Sequence, residues 1–424
     1  MSNVFAELEW RGFVQQATPD VEAHLGGGRR TVYCGFDPTA PSLQLGNLMP
    51  IMLLRHLQLG GHRPIVLMGG GTGLIGDPSG KKNERPLLSK EQIRENLQHQ
   101  RDQMSRLLDF DSKETRPLVL DNADWLEAQT LVPFLRDIGK HFTVNLMLQK
   151  ESVQARLDAG ISYTEFSYML LQAYDFLHLF RKERCTMQVG GSDQWGNITA
   201  GVDLIRRVEG GEAHGLVAPL VTTASGAKFG KTEAGAVWLD PALTSPYQLY
   251  QFWVNTDDRD AERYLKLFTL LSQDDIQALM QSHAKNPGSR APQKRLATLV
   301  TELVHGRPAC DTAVAATAIL FDEFSPRDVA PGTFDVLAQE IPTASVDAST
   351  GLLLVDAVVR AGLAASKGEA KRAIEQGGIY VNQERVKDVA HKLAAADWIA
   401  GRNVLLRKGK KDYALLRVLN EKAS

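Results

Sequence analysis

The run Lys228-Phe229-Gly230-Lys231-Thr232 sets two lysines three residues apart beside a glycine. In a polar, glycine-rich stretch that pattern suits a mobile loop that closes over a polyphosphate and stabilises charge on a departing pyrophosphate. An isolated string of five such residues is more often a surface turn, so its meaning rests on what stands elsewhere. A second candidate begins at Gly35-Phe36-Asp37-Pro38-Thr39, after a strand-like run, and continues into Leu45-Gly46-Asn47, which opens a helix. Strand, loop and helix N-terminus together make a phosphate site, with Thr39 and the amides of Gln44, Gly46 and Asn47 as donors to phosphate or ribose. Many α/β turns of this form bind nothing.

Three further groups carry polar side chains in usable patterns. Tyr168, Gln172 and Asp175 fall at i, i+4 and i+7 of a helical segment and so share one face, which is either solvated or reads a small polar molecule. In Gln188-Val189-Gly190-Gly191-Ser192-Asp193-Gln194-Trp195-Gly196-Asn197, paired glycines before Asp193 suit backbone approach to a ribose, and suit a loop or helix cap equally. Gly71 to Gly76 obeys G-x-G-x-x-G after a strand. A dinucleotide site needs a helix to begin inside that motif, whereas Asp77-Pro78-Ser79-Gly80 continues as turn. The glycines there fit close approach to a ligand, with Asp77 offering a carboxylate to a cation.

The elements that must hold these groups follow from periodicity. Strand-like runs at Thr31 to Gly35, Pro64 to Met68 and Pro117 to Leu120 alternate with helical patterns from Leu45 and Lys90, which predicts α/β structure on a parallel sheet. From about Ser245 to Phe324 the pattern is helical throughout. Residues 325–350, with Pro326, Pro331, Gly332 and Pro342, read as a linker.

Composition fits an ordinary folded protein of two or three domains, at 424 residues, 43% hydrophobic and 23% charged. The net charge of −2 hides an asymmetry. Residues 351–424 carry 14 Lys and Arg against 8 Asp and Glu, a surplus of six that leaves the remainder at −8. A basic tail on an acidic body suits a grip on a polyanion, or a solvated charged face. Three widely spaced cysteines, Cys34, Cys185 and Cys310, match neither a disulfide framework nor a metal motif, which points to a reducing cytosol. The first ten residues lack a signal peptide's basic and apolar regions, and no apolar run approaches the roughly 18 residues of a membrane span, so a cytoplasmic protein without membrane partners is expected.

Taken together and in order, the motifs at Tyr33 to Thr39, Glu165 to Asp175, Val189 to Asn197 and Lys228 to Thr232 resemble those of the bacterial tyrosyl-tRNA synthetases, a branch of class I, along essentially the whole chain. The resemblance implies a Rossmann-like parallel-sheet catalytic domain over 1–231, with a dimer-forming insertion near 115–165 that includes Phe134 to Lys140. It further implies an all-helical anticodon-side domain over 232–324, the linker, and a small α+β RNA-binding domain of the S-four type over 351–424. The implied activity is tyrosine activation by ATP, accompanied by Mg²⁺, to tyrosyl-adenylate and pyrophosphate, then transfer to the 3′ end of tRNA(Tyr) by a homodimer. No metal site built from protein ligands is implied.

By the same resemblance Tyr33 and Asp175 meet the phenolic hydroxyl of tyrosine, Asp77, Tyr168 and Gln172 its ammonium, and Gln194 its carboxylate. Cys34, Gly191 and Asp193 meet the ribose, and Gly35, Asp37 and Gly46 complete the ATP-binding set with Lys231. Thr39, Gln44, Asn47, Lys228, Lys231 and Thr232 act on the departing pyrophosphate. Lys367, Lys371 and Arg372 are the expected tRNA-phosphate contacts, with Arg407, Lys408, Lys410 and Lys411 supplementary. One departure stands out: the family's histidines are replaced by Gln44 and Asn47, neutral amides that still donate hydrogen bonds. An active enzyme with a retuned pyrophosphate contact is expected. Among rivals, a tryptophan-specific sister is disfavoured by Tyr33 with Asp175, a dehydrogenase by the lysine loop, a plain nucleotidyltransferase by the basic tail, and a decayed RNA binder by the intact pocket.

Overall fold

The computed structural model describes residues 3–79, 88–150, 153–154, 157, 160–232, 235–321, 324–346 and 351–418. Six strands, β1 (Gln16–Ala17), β2 (Thr31–Phe36), β3 (Arg63–Met68), β4 (Leu118–Asp121), β5 (Cys185–Gly191) and β6 (His214–Ala218), form one sheet in the order β1-β6-β5-β2-β3-β4. All neighbours are parallel except β1, which joins β6 antiparallel. Pro64 to Met68 of β3 are all buried, as an unbroken apolar run covered on both faces requires. The chain steps from β2 outward to β3 and β4, then returns to lay β5 on the other side of β2. Where connections leave neighbouring strands in opposite directions, a crevice opens beyond their carboxyl ends, here between β2 and β5.

The helix Tyr163–Glu183 begins where the Ser162 side chain accepts the Glu165 amide, and ends at Arg184 in the left-handed conformation, φ 52°. Met169, Leu170, Ala173, Phe176 and Leu177 fasten it to the sheet, through a core shared with Tyr33, Ile65 and Leu67. Its Tyr168 and Asp175 are also buried, so two polar groups are carried inward by an apolar anchor. Lys231–Thr232 (β7) and Gly235–Ala236 (β8) make a separate short ribbon.

Five helices follow between Pro246 and Phe321, as the periodicity predicts. They do not stand as one domain over 232–324. The chain forms two compact units, Met1–Thr244 with Thr256–Leu296, and Ser245–Asn255 with Ala297–Ser424. In the second unit β9 (Thr343–Val346), β10 (Ile379–Val381), β11 (Glu384–Val386), β12 (Asn403–Lys408) and β13 (Asp412–Val418) form a sheet ordered β11-β10-β12-β13-β9. The helices Leu354–Arg360 and Lys367–Glu375 pack Leu354, Val358, Ala370 and Ile374 on one face of it.

The expected linker is therefore structured over its described part, residues 347–350 lying outside the described residues. It holds the helix Thr333–Glu340 and the strand β9, which pairs with β13. Phe334 and Leu337 are fully buried at i, i+3 spacing, and Pro331 and Gly332 precede a helix start. Proline and glycine punctuate helix entries as well as loops, and that ambiguity misled the composition. No helix among the described residues is long and apolar enough to cross a membrane.

Candidate active site

Beyond the carboxyl ends of β2 and β5 lies a cavity of about 380 Å³. Tyr33, Cys34 and Gly35 reach it from β2, Asp37 and Thr39 from the loop that follows, and Gly46 and Asn47 from the next turn. Asp77 enters after β3, Tyr168, Gln172 and Asp175 from the helix Tyr163–Glu183, and Gly191, Asp193 and Gln194 from the end of β5. Of the Tyr168 face, Tyr168 and Asp175 are 5% and 1% exposed and so withdrawn from bulk solvent, while Gln172 is half-buried.

At the deep end, Asp175 accepts two hydrogen bonds, from Asn122 Nδ2 at 2.9 Å and from Trp125 Nε1 at 2.8 Å. Burial nevertheless pushes its carboxyl up to about 8. Near it the Tyr33 hydroxyl is buried and has no hydrogen-bond partner among the described residues. An unpaired hydroxyl and a strained carboxyl on one cavity wall are what a second hydroxyl would satisfy, accepting from one and donating to the other. Asn122 and Trp125 were missed in the sequence. They follow β4, and only the fold brings them to Asp175.

Midway, Asp37 accepts from Tyr168 Oη at 3.0 Å and from Thr72 Oγ1 at 2.9 Å, and Asn122 donates to Thr72 at 3.0 Å. Asp77 accepts from Gln194 Nε2 at 2.7 Å and from the Ser79 amide at 2.9 Å, while Gln172 donates to Gln194 at 3.3 Å. Among the described residues, four aspartates and no lysine or arginine line the cavity. That middle section favours a cation. Burial, with Asp193 second, raises the Cys34 thiol to about 12, so it stays neutral and offers only a weak hydrogen bond.

At the mouth, glycine matters for space. A Cβ on Gly35 or Gly46 would meet nothing within 4 Å, so both glycines leave open cavity where a side chain would stand. The Asn47 side-chain oxygen accepts from the Gln44 amide at 2.9 Å, which leaves the Asn47 NH₂ as the group to offer a phosphate. Gln44 itself does not line the cavity. It stands between the buried Leu43 and Leu45, and its backbone bridges to that of Trp238.

Backbone pairing joins the two phosphate motifs. Leu45 donates to Val237 O at 2.9 Å, Leu239 to Leu43 O at 2.9 Å, and Val237 to Gly230 O at 2.9 Å. Lys228, Lys231 and Thr232 are exposed and stand outside the cavity lining, on a loop tied to the helix-opening turn.

In the second unit Lys367, Lys371 and Arg372 are exposed along the helix Lys367–Glu375, with Lys367 paired to Asp356 at 2.6 Å. Two of the supplementary residues are engaged within the unit. Arg407 is 5% exposed and lies 3.9 Å over the Tyr380 ring, and Lys408 is held by Glu369 at 2.6 Å. Asn403 to Arg407 of β12 are all buried, which a basic sequence run does not reveal. Lys410 and Lys411 remain exposed.

Residues 27–322 match the family of class I tRNA synthetases for tryptophan and tyrosine, and 333–416 the C-terminal domain of tyrosine–tRNA ligases. The chain is 52% identical over 420 residues to the tyrosine–tRNA ligase of Anaeromyxobacter dehalogenans strain 2CP-1, covering 99% of this chain and 100% of that one. It is 50% identical over 421 residues to that of Geobacillus stearothermophilus, at 98% and 99% coverage. Among solved structures, a C-terminally truncated mitochondrial tyrosyl-tRNA synthetase from Aspergillus nidulans aligns at TM-score 0.69 and 30% identity, over 76% of this chain and 95% of its own. The Rossmann-like sheet, the two family matches and full-length likeness agree, and the chain belongs to the tyrosine–tRNA ligases of class I.

Proposed function

We propose that this tyrosine–tRNA ligase selects its amino acid at the Tyr33–Asp175 end of the cavity and forms the adenylate across its mouth. The observation that carries the reading is the buried, unpartnered Tyr33 hydroxyl beside Asp175. A tyrosine phenol accepts from Tyr33 and donates to Asp175, whose orientation Asn122 and Trp125 fix. Phenylalanine leaves both unmet. The acidic middle section, Asp77 with Tyr168 and Gln172, takes the α-ammonium, and Gln194 stands toward the carboxylate.

The protein supplies no nucleophile. The tyrosine carboxylate attacks the α-phosphorus of ATP in line, the bond from that phosphorus to the β-bridging oxygen breaks, and pyrophosphate leaves with the electron pair. Cys34, Gly191 and Asp193 hold the ribose, beside Gly35, Asp37 and Gly46. Thr39, Asn47, Lys228, Lys231 and Thr232 take up charge as pyrophosphate departs, the lysines by closure of their loop. Mg²⁺ arrives with ATP as part of the substrate. A ribose hydroxyl at the 3′ end of tRNA(Tyr) then attacks the tyrosyl carbonyl and releases AMP. Lys367, Lys371 and Arg372 grip the RNA backbone. A cytoplasmic homodimer is the working form, supported by Leu131, Val132, Val144 and Tyr163, which are 60–73% exposed on the insertion.

ATP–pyrophosphate exchange with tyrosine, tryptophan, phenylalanine or no amino acid, without tRNA, tests this reading. Exchange with tyrosine alone is expected. Exchange with tryptophan, or with none of them, would overturn it.

A further inference from the structure

The lysine loop is clamped at its base by an element without a role so far, the helix Asp258–Phe268. Asp260, 3% exposed, accepts the Ala224 amide at 2.7 Å and pairs with Arg263 at 2.8 Å. Arg263 and Tyr264 both donate to Thr222 O, Tyr264 at 3.2 Å. Thr222 and Lys228 bridge each other, so these bonds seize the stem of the turn that presents the first lysine. Between the lysines, Phe229 is buried, stacked on Phe268 at 5.2 Å and 10° and tilted against Tyr264 at 5.1 Å. Lys228 and Lys231 stand exposed on either side of this pin. A carboxylate so buried, spent on a loop amide, is a costly device for holding a surface turn.

We propose that the helix Asp258–Phe268 is the seat of the lysine loop, and that Asp260, Tyr264 and Phe268 are positioning residues for adenylate formation. The inference rests on the role given above to Lys228 and Lys231. A fixed stem limits how much chain must be ordered when the loop closes over the pyrophosphate, so loosening it penalises the transition state and spares tyrosine binding.

The test is a double-mutant cycle read by single-turnover formation of tyrosyl-adenylate, with tyrosine affinity and thermal midpoint measured in parallel. Asp260→Ala is expected to lower the rate constant of activation roughly five- to tenfold with tyrosine Kd unchanged. In a Lys231→Ala background its effect should shrink toward none, because a misplaced loop matters only through its lysines. Tyr264→Phe, which removes one bond to Thr222 and keeps the ring, supplies the same reading at smaller amplitude should Asp260→Ala fold poorly. If Lys231→Ala is slow and Asp260→Ala and Tyr264→Phe are as fast as wild type, or their effects add fully to the lysine's, the seat has no positioning role. If Lys231→Ala and Lys228→Ala are themselves as fast as wild type, the reading of the lysines falls instead.

Discussion

Removing the Tyr33 hydroxyl should move stability and binding in opposite directions. Tyr33→Phe keeps the ring in its contact with Phe176, at 5.2 Å, and deletes only an oxygen that is buried without a partner. A buried hydroxyl lacking its bond costs about 1–3 kcal/mol, so the unliganded variant should be no less stable than wild type and up to about 3 kcal/mol more so. Tyrosine, however, loses one neutral hydrogen bond, about 0.5–1.5 kcal/mol, which weakens binding roughly two- to twelvefold. Phenylalanine never made that bond, so preference for tyrosine over phenylalanine should fall by a similar factor. Urea unfolding of the free protein, equilibrium dialysis with labelled tyrosine, and exchange rates for both amino acids measure the three quantities. A free variant destabilised by more than about 1 kcal/mol would mean that the hydroxyl has a structural partner, and unchanged tyrosine affinity would mean that it does not face the phenol.

Three other outcomes follow from the same structure. Burial raises Asp175 to about 8, whereas in the unfolded chain it ionises near 4, so its contribution to stability is full below pH 4 and is lost as pH climbs toward 8. A phenol donating to Asp175 favours the ionised form, and tyrosine binding should expel close to about one proton at pH 7, seen as a buffer-dependent enthalpy in calorimetry and abolished by Asp175→Asn. Burial, then Arg11 and Arg55, depresses His56 to about 3. The unfolded chain binds this proton and the folded one does not, so stability is present above pH 6.5 and falls as pH drops toward 3. His56→Gln should flatten the dependence of unfolding free energy on pH between 4.5 and 6 by about 1.4 kcal/mol per pH unit. Val132, 73% exposed, should lie in the subunit contact, and Val132→Asp is expected to give monomers in sedimentation analysis, with an unchanged profile refuting the assignment.

The sequence made the parallel sheet legible because Pro64 to Met68 and its neighbours are unbroken apolar runs separated by helical periods. The pocket came from the resemblance of its motifs to a family, since the helix face shared by Tyr168, Gln172 and Asp175 suits solvent as well as a ligand. Asn122 and Trp125 stayed hidden, since their partner Asp175 lies some fifty residues away and no local period links them. Gln44 carries a motif position, yet it is not among the described residues that line the cavity, and its backbone bridges to that of Trp238. Residues 325–350 read as a linker because proline and glycine begin helices as readily as they interrupt them.

The main-chain ladder from Leu43–Leu45 to Val237–Leu239 has a consequence for variation at position 44. Amide-to-carbonyl pairing is indifferent to what hangs from the α-carbon. An imidazole, a carboxamide or a bare methyl can be exchanged at that site while segments nearly two hundred residues apart keep their register. Such a position can drift chemically at little geometric risk, because main-chain bonds and not its side chain hold the register.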